Sequence, residues 1–301
     1  MLRTVIVGLD GSPESRAAAE WAAREAKLRG LPLKVVHVWE PVPDPMAQAP
    51  LLGPETHAHW TERVPRESAE GLRLRHPGVE VVAEHRSGRP ADVLSELAKD
   101  AALLVLGSRG LSGFGGFMMG SVGMLVLARA EQPVVLVRAW EQAADEHEKD
   151  PVGIPSAAAP YRPVVLGLDI DNPDDSVIEF AFDAATRRDT ALRVVHGWNL
   201  PPYYVYGLSA DLDQHSDIAR QQAAALSEAL RPWRQKYPAV EVSEESSSGS
   251  PANHLVDASR EASLVVVGRR IRRSPIGTHI GPVAHAVLHH ATAPVAVVAH
   301  S

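Results

Sequence analysis

The chain has 301 residues, no cysteine and a formal net charge of −7. The lack of cysteine excludes disulfides, thiol catalysis and cysteine-ligated metals, and the negative charge disfavours general nucleic-acid binding, which needs a net basic face. No run approaches the roughly 18 apolar residues that span a bilayer, so we expect a cytoplasmic protein without membrane contact. With 45% hydrophobic residues, the chain can bury two ordinary cores.

The first half of the sequence alternates strand-like and helix-like segments. Strands are predicted at residues 4–9, 33–39, 80–85, 101–106 and 134–138. Helices are predicted from the Ser12-Pro13 cap onward and over residues 62–75, 91–99 and 121–129. This alternation is typical of a doubly wound, mostly parallel five-stranded sheet with helices on both faces, a Rossmann-like α/β fold.

Two stretches interrupt the alternation. Residues 141–150 are charged and residues 151–160 are rich in proline and small side chains. They predict a solvated linker over 141–160, between one domain at 1–140 and another at 161–301. Residues 40–54 contain five prolines, and we interpret them either as a long loop over a pocket edge or as a disordered surface insertion.

The second half of the sequence repeats the first. Two pairs of segments are related by an offset of 159 residues: 5–10 with 164–169, and 35–39 with 194–198. Near the end of each half the offset is 161 residues and relates Gly107 to Gly268 and Gly120 to Gly281. The chain is therefore a tandem duplication, and the second half is expected to form a second sheet of the same type.

The clearest functional motif lies between the fourth strand and the following helix of the first half. It reads Gly107-Ser-Arg-Gly110, nine residues, then Gly120-Ser121. Glycines allow close backbone approach, and a helix start presents unpaired N–H groups, so the motif predicts a phosphate cradle. It lacks the Walker lysine and the Gly-x-Gly-x-x-Gly turn, which disfavours both NTP hydrolysis of the Walker type and dinucleotide binding. A glycine-rich turn without a ligand is the alternative.

With these motifs the chain resembles a tandem-type universal stress protein over nearly its whole length. The nucleotide signature of that family, Gly-x2-Gly-x9-Gly-Ser/Thr, is matched by Gly107, Gly110, Gly120 and Ser121. The resemblance implies that the first domain binds ATP, with or without Mg²⁺. It also implies a cytoplasmic, nucleotide-dependent regulator of the stress response that acts on a protein partner of unknown identity.

The resemblance also implies a role for each position of this pocket. Asp10 would lie near the adenosine together with Gly8 and Leu9, the Val38 backbone would contact the adenine edge, and Gly107 would lie by the ribose. The residues expected around the phosphates are Gly110, Gly120, Ser121 and Val122. Arg109 is either a further phosphate contact or a solvent-exposed loop residue.

The second domain departs from the signature. Ile271 stands in place of the second glycine and Pro282 in place of the hydroxyl residue, so we expect weakened, altered or lost nucleotide binding. Four arginines crowd the corresponding loop, either as a remodelled anion site or as a solvated basic turn: Arg269, Arg270, Arg272 and Arg273. The candidate residues there are Asp169, Gly268, Arg269 and Gly281.

Metal binding and catalysis are not expected from the residues. His285 and His289 have the i, i+4 spacing of zinc ligands, but the glutamate of the His-Glu-x-x-His motif is absent, so no protein metal site is assigned. A slow ATPase or other nucleotide-handling enzyme is one alternative function. For it the sequence offers no base, lysine or metal carboxylate beyond Asp10. A nucleotide-free interaction scaffold is the other alternative.

The last strand of each half is short, apolar and at the end of its domain, which favours pairing with another strand. In the family that the chain resembles, these strands join two domains. The resemblance therefore implies an internal pseudo-dimer of the two halves, and a homodimer of chains is the further expectation.

Overall fold

The computed structural model describes residues 3–40, 54–108, 121–149, 152–154, 156–199, 212–271 and 280–301. The described residues up to Gln142 form one compact unit, and those from Ala143 onward form a second. Each unit contains a five-stranded parallel sheet with its own helices. Among the described helices, none is both long and apolar enough to cross a bilayer.

The first unit has the predicted α/β alternation. Its strands are β1 (Thr4–Gly8), β2 (Leu33–Trp39), β3 (Val81–Ser87), β4 (Ala101–Ser108) and β5 (Val134–Arg138). Its helices are α1 (Pro13–Arg29), α2 (Pro54–Arg75), α3 (Pro90–Ala98) and α4 (Ser121–Arg129). The strand order is β3-β2-β1-β4-β5, with every neighbouring pair parallel. The predicted fold class is confirmed, and α2 begins earlier than predicted. The proline-rich stretch before α2 lies outside the described residues, apart from its two ends.

The second unit has the same arrangement. Its strands are β6 (Val164–Gly167), β7 (Leu192–Trp198), β8 (Val242–Ser248), β9 (Leu264–Arg270) and β10 (Val295–His300). Its helices are α5 (Asp175–Arg188), α6 (Leu212–Lys236), α7 (Pro251–Ala258) and α8 (Pro282–His290). The strand order is β10-β9-β6-β7-β8, again parallel throughout. The duplication seen in the sequence is thus a duplication of the fold.

Small side chains allow α1 to lie close to the first sheet. Ala18, Ala22 and Ala26 recur at helical spacing and are fully buried, so the helix axis can approach the strands without the bulk of larger residues. Ser12 caps the amino end, and Gly30 ends the helix in the left-handed conformation, with φ of 62°. These local signals fix where α1 begins and ends.

An arginine blocks the edge strand of each sheet. Arg73 donates from Nε and Nη2 to the Val81 carbonyl oxygen, at 3.0 and 2.5 Å. Arg234 donates from Nη2 to the Val242 carbonyl oxygen at 3.2 Å. Both contacts occupy edge carbonyls that another chain could otherwise pair with, so they protect the edge strands against aggregation.

Part of the predicted linker packs on the second unit. Residues Ala143–Glu146 form a short 3-10 helix, and His147 forms an isolated antiparallel bridge with Tyr161. The two rings lie 4.0 Å apart between centroids, and His147 Nδ1 donates to the Ala143 carbonyl oxygen at 2.7 Å. Glu146 and His147 are buried, so these two residues pack against the protein, whereas most of the described residues from 148 to 160 are exposed, as a solvated segment would be.

We predict that His147→Ala lowers the free energy of unfolding of the second unit by about 1–2 kcal/mol, because it removes a ring contact and a hydrogen bond. Urea denaturation of the full chain measures this loss, and limited proteolysis should cut sooner between residues 143 and 162. The control is Val152→Ala, since that side chain is 81% exposed. Equal stability of the two variants would contradict the packing role of His147.

Candidate functional site

The two central strands of the first sheet define a switch point. The chain crosses from β1 to β2 on one side and from β4 to β5 on the other. In parallel α/β sheets the loops after two such strands diverge and leave a crevice, where ligands bind. Asp10 follows β1, and Gly107 lies at the end of β4. The fold therefore brings these two predicted residues to the same crevice.

The turn between β1 and α1 is organised around Asp10. Its Oδ1 accepts from the Ser12 N–H at 3.0 Å and from the Ser12 hydroxyl at 2.5 Å. The Ser12 hydroxyl oxygen in turn accepts from the Ser15 N–H at 3.1 Å, as the cap of α1. Gly11 lies between Asp10 and Ser12 with φ of 83°, a conformation that glycine adopts without strain. Asp10 is exposed, so its remaining lone pairs can accept from a ligand hydroxyl.

The same hydrogen bonds keep Asp10 ionised. Although the residue is exposed to solvent, protein atoms around the Asp10 carboxyl exclude part of its water and raise its pKa, but hydrogen bonds from the Ser12 hydroxyl and N–H, with a further contribution from Ser15, outweigh this effect. The pKa is therefore lower than its ordinary value. At neutral pH the crevice contains a fixed carboxylate that can accept hydrogen bonds.

Gly107 is required by backbone packing. A Cβ atom at this position would lie 2.5 Å from the Glu14 carbonyl carbon and 2.7 Å from the Ser15 amide nitrogen. The first turn of α1 thus rests directly on β4, and no side chain fits between them. The family resemblance implies that Gly107 lies by a ribose, which stays a prediction; the structure gives this glycine a packing role that sequence reasoning missed.

His37 is a second feature that sequence reasoning did not assign. Its Nδ1 donates to the Leu9 carbonyl oxygen at 2.8 Å, and its ring stacks on His85 at 5.8 Å between centroids. The contact connects the end of β2 to the residue before Asp10. The recurrence of histidine at both 37 and 196 was the signal available in the sequence.

The remaining predicted positions of the first pocket are only partly described. Ser121 begins α4 as predicted, and Val122 follows in its first turn, half-buried. Val38 lies in β2 and is half-buried. Arg109, Gly110 and Gly120 lie outside the described residues. The roles of these residues toward a nucleotide stay predictions.

The second unit has the same aspartate turn, but the helix that follows the turn begins later. Asp169 Oδ1 accepts from the Asp171 N–H at 3.1 Å, as Asp10 does from Ser12. The connection from β6 to α5 has seven residues, whereas the connection from β1 to α1 has four. A Cβ at Gly268 would therefore meet the His300 ring at 3.0 Å and the Val177 side chain at 3.3 Å. Side chains fill the place that helix backbone takes in the first unit.

The other candidate residues of the second unit lie in regular structure. Strand β9 extends to Arg270, so Arg269 and Arg270 are strand residues and not loop residues, and Arg269 is buried. Gly281 caps α8 without a side-chain hydrogen bond, and Pro282 follows at the first helical position. Arg272 and Arg273 lie outside the described residues. The two described arginines thus do not form the predicted basic loop.

An open cleft of about 520 Å³ lies at the amino end of α5. Its lining includes Asp174, Asp175 and His300, and His300 Nδ1 lies 3.7 Å from Asp174 Oδ2. Two carboxylates would repel a phosphate, so the lining does not favour an anion at this cleft.

The histidine pair on α8 does not extend to a metal cluster. The His285 and His289 rings lie 4.3 Å apart between centroids. Within the described ranges, no group of three or more histidine, cysteine, aspartate or glutamate residues is arranged to hold a metal ion.

These features define a duplicated, doubly wound α/β protein whose first unit carries an aspartate turn and a glycine-constrained helix at the switch point. The model of the universal stress protein family matches residues 1–138 and 160–299, and the chain belongs to that family. A universal stress protein of Mycobacterium tuberculosis is 34% identical over 99% of this chain and 97% of its own length. One from Mycolicibacterium smegmatis is 32% identical over 98% and 96%.

Some solved structures are similar over the whole chain and others over about half of it. The crystal structure of a universal stress protein from Archaeoglobus fulgidus covers 99% of this chain and 98% of that chain, with a TM-score of 0.68 and 18% identity. This likeness concerns the fold. A universal stress protein solved in complex with cAMP matches 46% of this chain and 98% of that chain at 29% identity, with a TM-score of 0.35.

We predict that Gly107→Ala destabilises the first unit by about 1–3 kcal/mol, because its Cβ would force the first turn of α1 away from β4. The matched control is Gly268→Ala, whose Cβ would meet side chains that can move. It should lose less than half as much. Chemical denaturation measures both losses, and the reverse ranking would contradict the packing role of Gly107.

We predict that Ser12→Ala raises the pKa of Asp10 toward its ordinary value of 3.8 and costs about 1 kcal/mol of stability through the lost helix cap. Because the folded pKa of Asp10 is depressed, its contribution to stability is present above about pH 4 and lost as pH falls through the folded pKa. The stability difference between wild type and variant should therefore shrink on acidification. NMR titration of the Asp10 carboxyl measures the pKa, and an unchanged value would contradict the assigned hydrogen bonds.

Proposed function

We propose that the first unit binds ATP in the crevice between the ends of β1 and β4, and that occupancy regulates the protein during the stress response. The observation that carries this proposal is the ionised Asp10 turn, fixed at the switch point of a sheet whose β4 leads into the Gly-x2-Gly-x9-Gly-Ser signature. Each part suits a different group of the nucleotide.

The carboxylate and the helix start provide complementary chemistry. Asp10 can accept from a ribose hydroxyl, as acidic residues at the switch points of nucleotide-binding sheets do. Helix α4 begins at Ser121 and has nine residues, so its first turn offers unpaired N–H groups and the positive end of a dipole to phosphate oxygens. Mg²⁺ would accompany the nucleotide through its phosphates and not through a cluster of protein ligands.

The second unit is proposed to bind no nucleotide, which makes one site per chain. The sheet edge of the second unit differs at the position where the base would lie, because Gly197 is the residue that corresponds to Val38. A Cβ at Gly197 would come within 2.6 Å of the Pro251 Cα, so the amino end of α7 covers this position. The cleft at the amino end of α5 is lined by two carboxylates, which would repel a phosphate.

A regulatory role fits the motif better than hydrolysis does. The signature contains no lysine directed at the β and γ phosphates, so ATP can be held without being cleaved. Regulation requires that ATP binds one conformation of the protein more tightly than another. The partner that senses this difference, assembly as a homodimer of internal pseudo-dimers and a cytoplasmic location belong to the same proposal.

We predict that Asp10→Ala weakens ATP binding at least about tenfold, because a charge-assisted hydrogen bond is lost. Asp169→Ala removes the corresponding carboxylate of the second unit and should change affinity less than about twofold. Isothermal titration with ATP and Mg²⁺ measures both, with an expected stoichiometry of one per chain. Normal binding by the Asp10 variant, or two sites per chain, would contradict the proposed site.

A further inference from the structure

We propose that His37 is a positioning residue of the nucleotide site. Its imidazole replaces the Val38 N–H as the donor to the Leu9 carbonyl, and so leaves the Val38 N–H for a ligand at the sheet edge. The identity of the ligand rests on the proposed function. The replacement of the Val38 N–H by the His37 imidazole as donor to the Leu9 carbonyl is argued from the strand geometry alone.

The pattern of the parallel ladder shows where the exchange occurs. Strands β1 and β2 are in register through Gly8 and Val36, and the ladder continues with the Leu9 N–H donating to the Val36 carbonyl at 2.8 Å. In a parallel sheet the next bond would run from the Val38 N–H to the Leu9 carbonyl. These two residues do not form that bond, and His37 Nδ1 contacts the Leu9 carbonyl oxygen instead, at 2.8 Å.

The Val38 N–H is therefore left without its ladder partner. Among the described residues it has no hydrogen-bond acceptor. An unpaired backbone donor that is half-buried is costly unless water or a ligand satisfies it. Its location at the carboxyl end of β2, next to the strand that leads into the Asp10 turn, makes a ligand atom a suitable acceptor.

His37 is well fixed for this role. A carbonyl oxygen only accepts hydrogen bonds, so Nδ1 carries the proton. The ring stacks on His85, its register partner on β3, with an angle of 26° between the planes. The peptide group between Leu9 and Asp10 is also held from its other end, because the Asp10 N–H donates to the Ser15 hydroxyl oxygen at 3.3 Å.

The second unit provides an internal comparison. His196 Nδ1 donates to the Leu168 carbonyl at 3.0 Å, and the Leu168 N–H donates to the Val195 carbonyl at 3.1 Å. A histidine thus contacts the carbonyl at the end of the first strand in this unit too, but Pro251 covers the residue after the histidine, Gly197. The histidine contact thus recurs in both units, and the second unit differs in the residue that follows the histidine.

A ligand that uses the Val38 N–H needs a hydrogen-bond acceptor on a flat edge. The ring nitrogens of a purine base provide such an acceptor, and the half-buried Val38 side chain offers an apolar surface for the ring. The base of the nucleotide, and not its phosphates, is therefore the group that His37 helps to recognise.

The test compares wild type with His37→Ala, His37→Asn and His196→Ala. The asparagine amide nitrogen can donate from about the position of Nδ1, so it should restore the contact. We expect His37→Ala to weaken ATP affinity about fivefold to tenfold, as for one lost hydrogen bond. His37→Asn and His196→Ala should stay within about twofold of wild type.

Amide hydrogen exchange of Val38, followed by NMR, tests the ladder directly. In the nucleotide-free wild type this amide should exchange rapidly, and in His37→Ala it should become protected, because the Leu9 carbonyl is again available. Equal exchange in the two proteins, or failure of asparagine to restore affinity, would overturn the proposal. If wild type binds no ATP, the proposed function fails, while the exchange experiment still decides the role of His37.

Discussion

The contact between the first turn of α1 and strand β4 is the constraint on which the candidate site depends. Backbone meets backbone there, so residue 107 must be glycine. The contact fixes the position of the helix start, and hence of the Ser12 cap and the Asp10 carboxylate that bonds to it. The first glycine of the nucleotide signature thus acts through packing. It positions the loop on the other side of the switch point by fixing where α1 begins.

The second unit shows what happens when this constraint is relaxed. A connection three residues longer lets α5 begin later, and the His300 ring and Val177 fill the space beside Gly268. An open cleft lined by Asp174 and Asp175 results. The aspartate turn survives because it depends only on local hydrogen bonds. The close contact between the start of the helix and the neighbouring strand is not kept, because α5 begins later than α1 does.

Other duplicated contacts are preserved because they serve the fold of each unit. The arginines at 73 and 234 block the edge strands in the same way. The histidines at 37 and 196 both donate to the carbonyl that ends the first strand of their unit. What differs is the surface built over these contacts. Gly197, which stands in the place of Val38, admits the start of α7, so a similar framework carries different packing after the histidine of the second unit.

The sequence by itself determined the duplication, the α/β fold and nearly every strand and helix, because apolar runs, caps and glycine stops are local signals. It also determined that Asp10 follows the first strand. Only the tertiary structure decided why residue 107 is glycine, which carbonyl His37 occupies and which helix start covers Gly197. These depend on contacts between residues far apart in the chain, whose distances no local pattern encodes. The contact between His147 and Tyr161 belongs to the same class, since the charged composition of residues 141–150 gives no sign that one of them packs against a distant ring.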